Sequence, residues 1–98
     1  MPTYVALLSW TEQGARNYKD TAKRAESFGS AVNKLGAEIL SIYWTIGPYD
    51  LVTVLEAPDD ETATAALVQL GGVGNVRSTT LRAFDREEME RIIAKAAG

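Results

Sequence analysis

Ile39-Leu40-Ser41-Ile42-Tyr43-Trp44-Thr45-Ile46-Gly47-Pro48-Tyr49-Asp50-Leu51-Val52-Thr53-Val54-Leu55 is the stretch on which the fold turns. Two apolar, β-rich runs flank Gly47-Pro48, and Gly and Pro between such runs predict a tight hairpin. A type I turn would place Gly47 first and Pro48 second, with Asp50 tying the turn to backbone N–H groups. Tyr49 and Asp50 also admit a second reading, a polar handle at a pocket mouth with Tyr as acid or donor and Asp as base.

Outward from this hairpin, residues 3–9 form another β-type run, closed by Trp10-Thr11. Thr11 is placed to cap a helical turn whose first residue, Glu12, suits the helix dipole. Gly14 weakens that turn and Asp20-Thr21 offers a second cap. A short turn followed by a longer helix is therefore expected between residues 12 and 35. Ala25, Phe28, Val32 and Leu35 recur at helical spacing and should face the core, with Gly36 as the C′ glycine. Strands are expected at 38–45 and 50–57. Pro58-Asp59-Asp60-Glu61 opens a second long helix, with Ala63, Ala66, Leu67 and Leu70 as its inner stripe and Gly71-Gly72 and Gly74 as its stop. Residues 75–83 read as a fourth strand. Asp85 and Glu88 then predict a capping box, with Phe84 and Met89 at the staple positions. The inner face of this last helix would be Met89, Ile92, Ile93 and Ala96.

The order β-α-β-β-α-β-α predicts an α+β fold, a ferredoxin-like βαββαβ antiparallel sheet over residues 1–98 as one unit, with an extra C-terminal helix at an edge or on a partner chain. One strand alternation gives Val5, Leu7, Leu40, Ile42, Val52 and Val54, expected beneath the helices. The other gives Tyr4, Ala6, Leu8, Trp10, Ser41, Tyr43, Thr45, Leu51, Thr53 and Leu55. This second set is expected on the open face, where its apolar character asks for a cover. A homodimer packed sheet to sheet, or a larger homo-oligomer, is the simplest cover. On this reading Thr53→Arg should disrupt the assembly.

Composition bounds the chemistry. The chain has 98 residues, 46% hydrophobic and 23% charged, with ten basic and thirteen acidic residues for a net charge of −3. Disorder is excluded by that balance, and nucleic acid is not an expected partner. The absence of cysteine removes disulfides and thiolate sites, and the absence of histidine removes the commonest general base and metal ligand. No metal or cofactor is expected. No apolar run approaches a membrane span and no basic stretch precedes the first apolar run, so neither membrane nor signal peptide is expected, and a soluble cytoplasmic protein is the default.

The same segments carry a family resemblance. Tyr4-Val5 through Ser9-Trp10-Thr11, Gln13-Gly14, Arg16-Asn17, Lys19-Asp20, Tyr43-Trp44-Thr45, Gly47-Pro48-Tyr49-Asp50, Ala57-Pro58-Asp59-Asp60, Gly74-Asn75-Val76-Arg77 and Thr80-Leu81-Arg82-Ala83-Phe84 resemble the GYD-domain family. Ala22 stands where members often carry Pro, which touches only a helix start. The resemblance implies a dimeric α/β-barrel type of ferredoxin-like fold, a group that includes small monooxygenases, isomerases and effector-binding domains. It implies no catalytic residues.

Candidate ligand contacts are Tyr4, Trp10, Asn17, Tyr43, Tyr49, Asp50, Thr53 and Arg82. Tyr4, Trp10 and Tyr43 suit the wall of an apolar or aromatic pocket, and equally a core or dimer contact. Arg16, Asn17, Lys19, Lys23 and Arg24 would attract an anion or form a solvated face. Arg82 falls in phase with Ser78 and Thr80, and inside a barrel it would need a partner or an anionic ligand. Gly71-Gly72-Val73-Gly74-Asn75 lacks the strand-before, helix-after context of a phosphate loop and reads as a helix stop. Pro2 would become an N-terminal amine base if Met1 were removed. A binding module for a small apolar or aromatic molecule is the leading expectation. The alternatives are a cofactor-free monooxygenase or isomerase, and a structural or assembly protein without ligand.

Overall fold

The computed structural model describes residues 1–98. Its elements are β1 (Thr3–Trp10), α1 (Glu12–Arg16), a 3-10 turn (Tyr18–Asp20), α2 (Thr21–Lys34), β2 (Glu38–Trp44), β3 (Leu51–Glu56), α3 (Asp60–Val73), β4 (Val76–Ala83) and α4 (Arg86–Ala97). The strands form one antiparallel sheet in the order β2-β3-β1-β4. That is the ferredoxin-like βαββαβ topology with a further C-terminal helix.

The local signals act as expected at the helix starts. The Thr11 side chain accepts the Gly14 N–H, and Asp59 accepts the Thr62 N–H. That second bond holds the Asp59 carboxyl below its ordinary pKa. Asp85 and Glu88 complete a reciprocal capping box. Gly36 takes φ +84° after α2, the left-handed conformation that glycine adopts without a Cβ penalty. Two local readings are corrected. Gly71 and Gly72 do not stop α3, which runs on to Val73 and ends at the left-handed Gly74. The hairpin is not closed by a type I turn at Gly47. Instead Thr45 N–H donates to the Asp50 carbonyl across a wider loop, and Asp50 N–H donates to Leu8 O on β1.

The larger correction concerns the sheet faces. The core is built from Tyr4, Ala6 and Leu8 of β1, Leu51 and Leu55 of β3, Val76 of β4, Phe28 and Val32 of α2, and Ala63 and Ala66 of α3. Thr53, 1% exposed, lies among them. The alternation expected on the open face is therefore the one beneath the helices. Val5, Leu7, Val52 and Val54 are half-buried on the opposite side, joined there by exposed Leu81 opposite Val5. β2 does not follow either alternation throughout. A bulge between Ile39 and Ser41 shifts its register, so Ile39 pairs with Leu55 and Ser41 with Val54. A bulge moves the following side chains to the other face. Ile42 thus packs on the core while Leu40 is exposed, splitting two residues expected together.

α4 has no buried residue and makes no extended packing contact with any other element. Its expected inner face is uncovered: Met89 and Ile93 are exposed and Ile92 is half-buried. The molecule measures 52 × 31 × 18 Å.

Candidate functional site

A cavity of about 430 Å³ opens between α2, the end of α3 and the inner face of the sheet. Its walls are mainly apolar: Leu8, Trp10, Phe28, Ile42, Leu51, Leu70, Val73 and Val76. The only titratable groups lining it are Asp20, Lys23 and Arg24, around the start of α2. Two of the lining residues, Trp10 and Thr53, each carry a polar atom, Nε1 and Oγ1, that is buried and has no hydrogen-bond partner. Buried polar groups are paired in the great majority of cases, and an unpaired one costs about 1–3 kcal/mol.

The cavity owes its shape to the segment that carries α1 and the 3-10 turn. Trp10 ends β1, and its backbone N–H donates to Asp50 Oδ2 at 2.8 Å. Asp50 therefore fixes the β1 end against the β2–β3 loop, while the Thr45 hydroxyl holds the Tyr49 carbonyl at 2.6 Å. Arg24 reaches from α2 to the carbonyls of Asn17 and Gly14, which anchors the helix start over the hollow. Trp44 Nε1 on β2 donates to Oγ1 of the lining residue Thr21 at 3.0 Å. The sequence does not single out Trp44 or Thr21 as site residues, and it marks Arg24 only as part of a basic stretch. A tryptophan just before the hairpin, in phase with Ile42 and Leu51 once the bulge is counted, is the only available signal.

A second hollow of similar size lies along β4 and α3 and is more polar than the first. At its end, buried Tyr4 donates its hydroxyl to Asp60 Oδ1 at 2.5 Å. Arg82 stacks 5.6 Å from the Tyr4 ring and 4.5 Å from the Phe84 ring, and pairs with Glu88 at 3.5 Å. Its guanidinium also donates to the carbonyls of Thr3 and Ala83. Ser78, Thr80 and Arg82 share the helix-side face of the sheet, opposite Leu8, Ala6 and Tyr4, and not the open face. Arg82 is thereby supplied with partners from its own chain. No group of three or more acidic side chains is placed to hold a metal ion.

Burial, then the Asp60 hydrogen bond and charge, push the Tyr4 phenol from 10.0 up to about 12. An unfolded phenol releases its proton near pH 10, whereas the folded one keeps it, so the folded state binds more protons between these values. The contribution to stability is intact below pH 10 and is lost as pH rises toward 12. Urea titrations across this range should show a steeper alkaline fall for the wild type than for Tyr4→Phe. Parallel curves would show that Tyr4 is not the titrating group.

The eight residues expected at a ligand are thus divided. Trp10 and Thr53 line the apolar cavity, and Tyr4 and Arg82 the polar hollow. Asp50 supports the cavity from behind through the Trp10 backbone. Tyr49 lines neither hollow, and exposed Asn17 spends its side-chain amide on Gln13 O. Tyr43 is exposed and shares the open sheet face with Val52, with which it pairs. Pro2 also lines neither hollow.

Comparison with known proteins places these features in context. The sequence model of a family described as GYD domain matches residues 4–93. The chain is 32% identical over 85 residues to the "Glutamine synthetase and cystathionine beta-lyase binding protein" of Thermus thermophilus, covering 86% of this chain and 90% of that protein. Among solved structures it resembles TTHA0845 from Thermus thermophilus, with a TM-score of 0.57 and 26% identity, over 87% of this chain and 95% of the other. No helix is long and apolar enough to cross a membrane.

Proposed function

Because the chain belongs to the GYD-domain family, we propose that it works as a homo-oligomeric binding protein that holds a small, mainly apolar or aromatic molecule in the α2 cavity. The observation that carries this reading is the apolar cavity itself, two of whose lining residues, Trp10 and Thr53, hold a buried polar atom without a partner. Ligand pockets combine apolar walls with a few placed polar groups, and 430 Å³ is within their usual range. The indole N–H only donates, so the ligand needs a hydrogen-bond acceptor such as a carbonyl or ether oxygen facing Trp10. The Thr53 hydroxyl accepts or donates and so takes a second polar atom. The cavity presents no paired carboxylates and no nucleophile–base pair, so its chemistry favours retention of a ligand over turnover. The homo-oligomer is supported by the uncovered aliphatic sheet face, which a second copy would bury.

Native mass spectrometry of protein purified from its own cells tests the reading. A small adduct should be retained by the wild type. Trp10→Phe and Thr53→Val should each weaken its retention by about tenfold, the effect of one lost hydrogen bond of roughly 1.4 kcal/mol. Wild-type protein that carries no adduct, and that binds no aromatic ketone in calorimetry, refutes it.

A second reading is favoured by the same exposed apolar surface together with the Thermus relative, which is named for binding two enzymes. The sheet face and α4 would then dock a protein partner. Ligand binding in the cavity and protein docking on the opposite side of the sheet do not exclude each other.

A further inference from the structure

We propose that the molecule taken up by the α2 cavity is an amphiphilic anion: an apolar or aromatic body with one carboxylate, seated with its acid group at Lys23. The inference rests on the cavity part of the function proposed above. It goes beyond that reading by giving the ligand a charge and by naming the end of the cavity where that charge sits.

The first observation is where the charges around this cavity stand. Asp20, Lys23 and Arg24 are its only charged lining residues, and all three belong to the start of α2 or the turn just before it. The sheet and α3 contribute no charged residue to the wall. A molecule filling the hollow therefore meets apolar surface along most of its length and charge at one end. An apolar body with a single polar head matches that division.

The second observation is the sign of that end. Neither Lys23 nor Arg24 forms an ion pair within the chain. Arg24 donates to the carbonyls of Asn17 and Gly14, which occupy its N–H groups without bringing a negative charge. Asp20 is the only carboxylate in the lining, and it lies beyond ion-pair distance of both cations. Of the carboxylates on either side in sequence, Glu12 pairs with Arg16, and Glu26 does not line the cavity. Two cations and one carboxylate leave a surplus of one positive charge, in a chain whose net charge is −3. Low-dielectric walls with charge of one sign at their end concentrate ions of the other.

The third observation separates the two cations. The Arg24 guanidinium is fixed by its two carbonyls and holds the start of α2 in place. Lys23 is exposed, and its ammonium is a compact charge on a flexible stem with three donors, able to follow an acid group that arrives at the cavity. A surplus of one charge suits a monoanion. The second charge of a phosphate would face Asp20 with no cation left to offset it, so a carboxylate is the better head group.

Three probes that share one naphthalene ring test this by calorimetry on the full chain near neutral pH: naphthoate, methyl naphthyl ketone and naphthylmethylamine. The wild type should bind naphthoate about fivefold more tightly than the ketone, the effect of one exposed ion pair, and the amine most weakly. Added salt should narrow the gap between naphthoate and ketone, because it screens only the charged probe. Lys23→Gln should erase that gap. Lys19→Gln, in the same basic stretch but outside the lining, should keep it. Both lysines are exposed, so the circular dichroism of either variant should match the wild type. Equal affinity for naphthoate and ketone, or a preference for the amine, overturns the anion and leaves the apolar cavity standing. A naphthoate preference that survives Lys23→Gln overturns the seat at Lys23. A wild type that binds none of the three probes overturns the cavity reading beneath it as well.

Discussion

Thr53→Arg is expected to leave no folded protein, whereas Val54→Arg, one residue along, is expected to leave the fold intact and, on the homo-oligomer proposed above, to disperse it. Thr53 is 1% exposed and lies between the sheet and the helices. Its β1 neighbour is Ala6, which is fully buried, and the only carboxylate among the residues lining the adjoining cavity is Asp20, at the start of α2. A guanidinium there would lose its hydration without a carboxylate partner. Uncompensated buried charge costs several kcal/mol, which is of the order of the whole stability of a chain this size. Val54 is half-buried on the other face, where an arginine keeps its water until a second copy arrives. Circular dichroism and sedimentation on the pair of variants separate the two outcomes. A folded, monomeric Thr53→Arg would return that residue to the open face. Thr53→Val provides the control: removing an unpaired buried hydroxyl at nearly constant shape should hold or raise the melting temperature.

Gly14→Ala should lower stability by roughly 3 kcal/mol, combining overpacking of about 1–3 kcal/mol with weakened hydrogen bonds of about 1 kcal/mol each. An ideal Cβ on Gly14 would lie 2.0 Å from the Asn75 carbonyl oxygen, a backbone atom that cannot rotate aside. That carbonyl accepts the Thr11 N–H at 3.0 Å, and the Thr11 hydroxyl donates to Gly74 O at 2.6 Å. Gln13 donates to Asn75 Oδ1 beside them. One methyl group therefore presses α1 away from the α3–β4 connection and loosens the Thr11 cap. A fall in melting temperature of more than about 10 °C follows for a chain near 100 residues. Ala15→Gly, on the exposed side of the same short helix, should cost no more than about 1 kcal/mol. Equal effects at the two positions would mean that helix propensity, not the close approach to Asn75, decides the result.

On the function proposed above, the helix-side cavity and the open face divide two tasks between the sides of one sheet. Thr53 and Trp10 give the cavity its unused hydrogen bonds, and Val5, Leu7, Val52 and Val54 give the opposite side its unused apolar area. A protein built only for stability would carry neither. Native chains rarely bury an unpaired hydroxyl or leave a broad aliphatic patch to water without a use for it.

Much of this architecture is written in local sequence. Thr11, Asp59 and Asp85 act as caps through bonds spanning three residues, and Gly36 and Gly74 take conformations that other residues resist. Such signals need no knowledge of the rest of the chain, and the order of elements follows from them. The facing of the strands was not legible in the same way. Both alternations of β1 and β3 are apolar, so a period of two could not tell Tyr4, Ala6 and Leu8 from Val5 and Leu7. Only the docking of α2 and α3 decides, through Phe28, Val32, Ala63 and Ala66 packing on one side. The bulge beside Leu40 then resets β2, which no residue type in Ile39-Leu40-Ser41 announces. The cavity is tertiary for the same reason. The sequence names Trp10 and Thr53 as candidate contacts but sets them on the open face, and only when the helices close over them are their polar atoms buried without partners. Local bonding specified the elements; long-range packing chose which face of the sheet became the core and which was left uncovered.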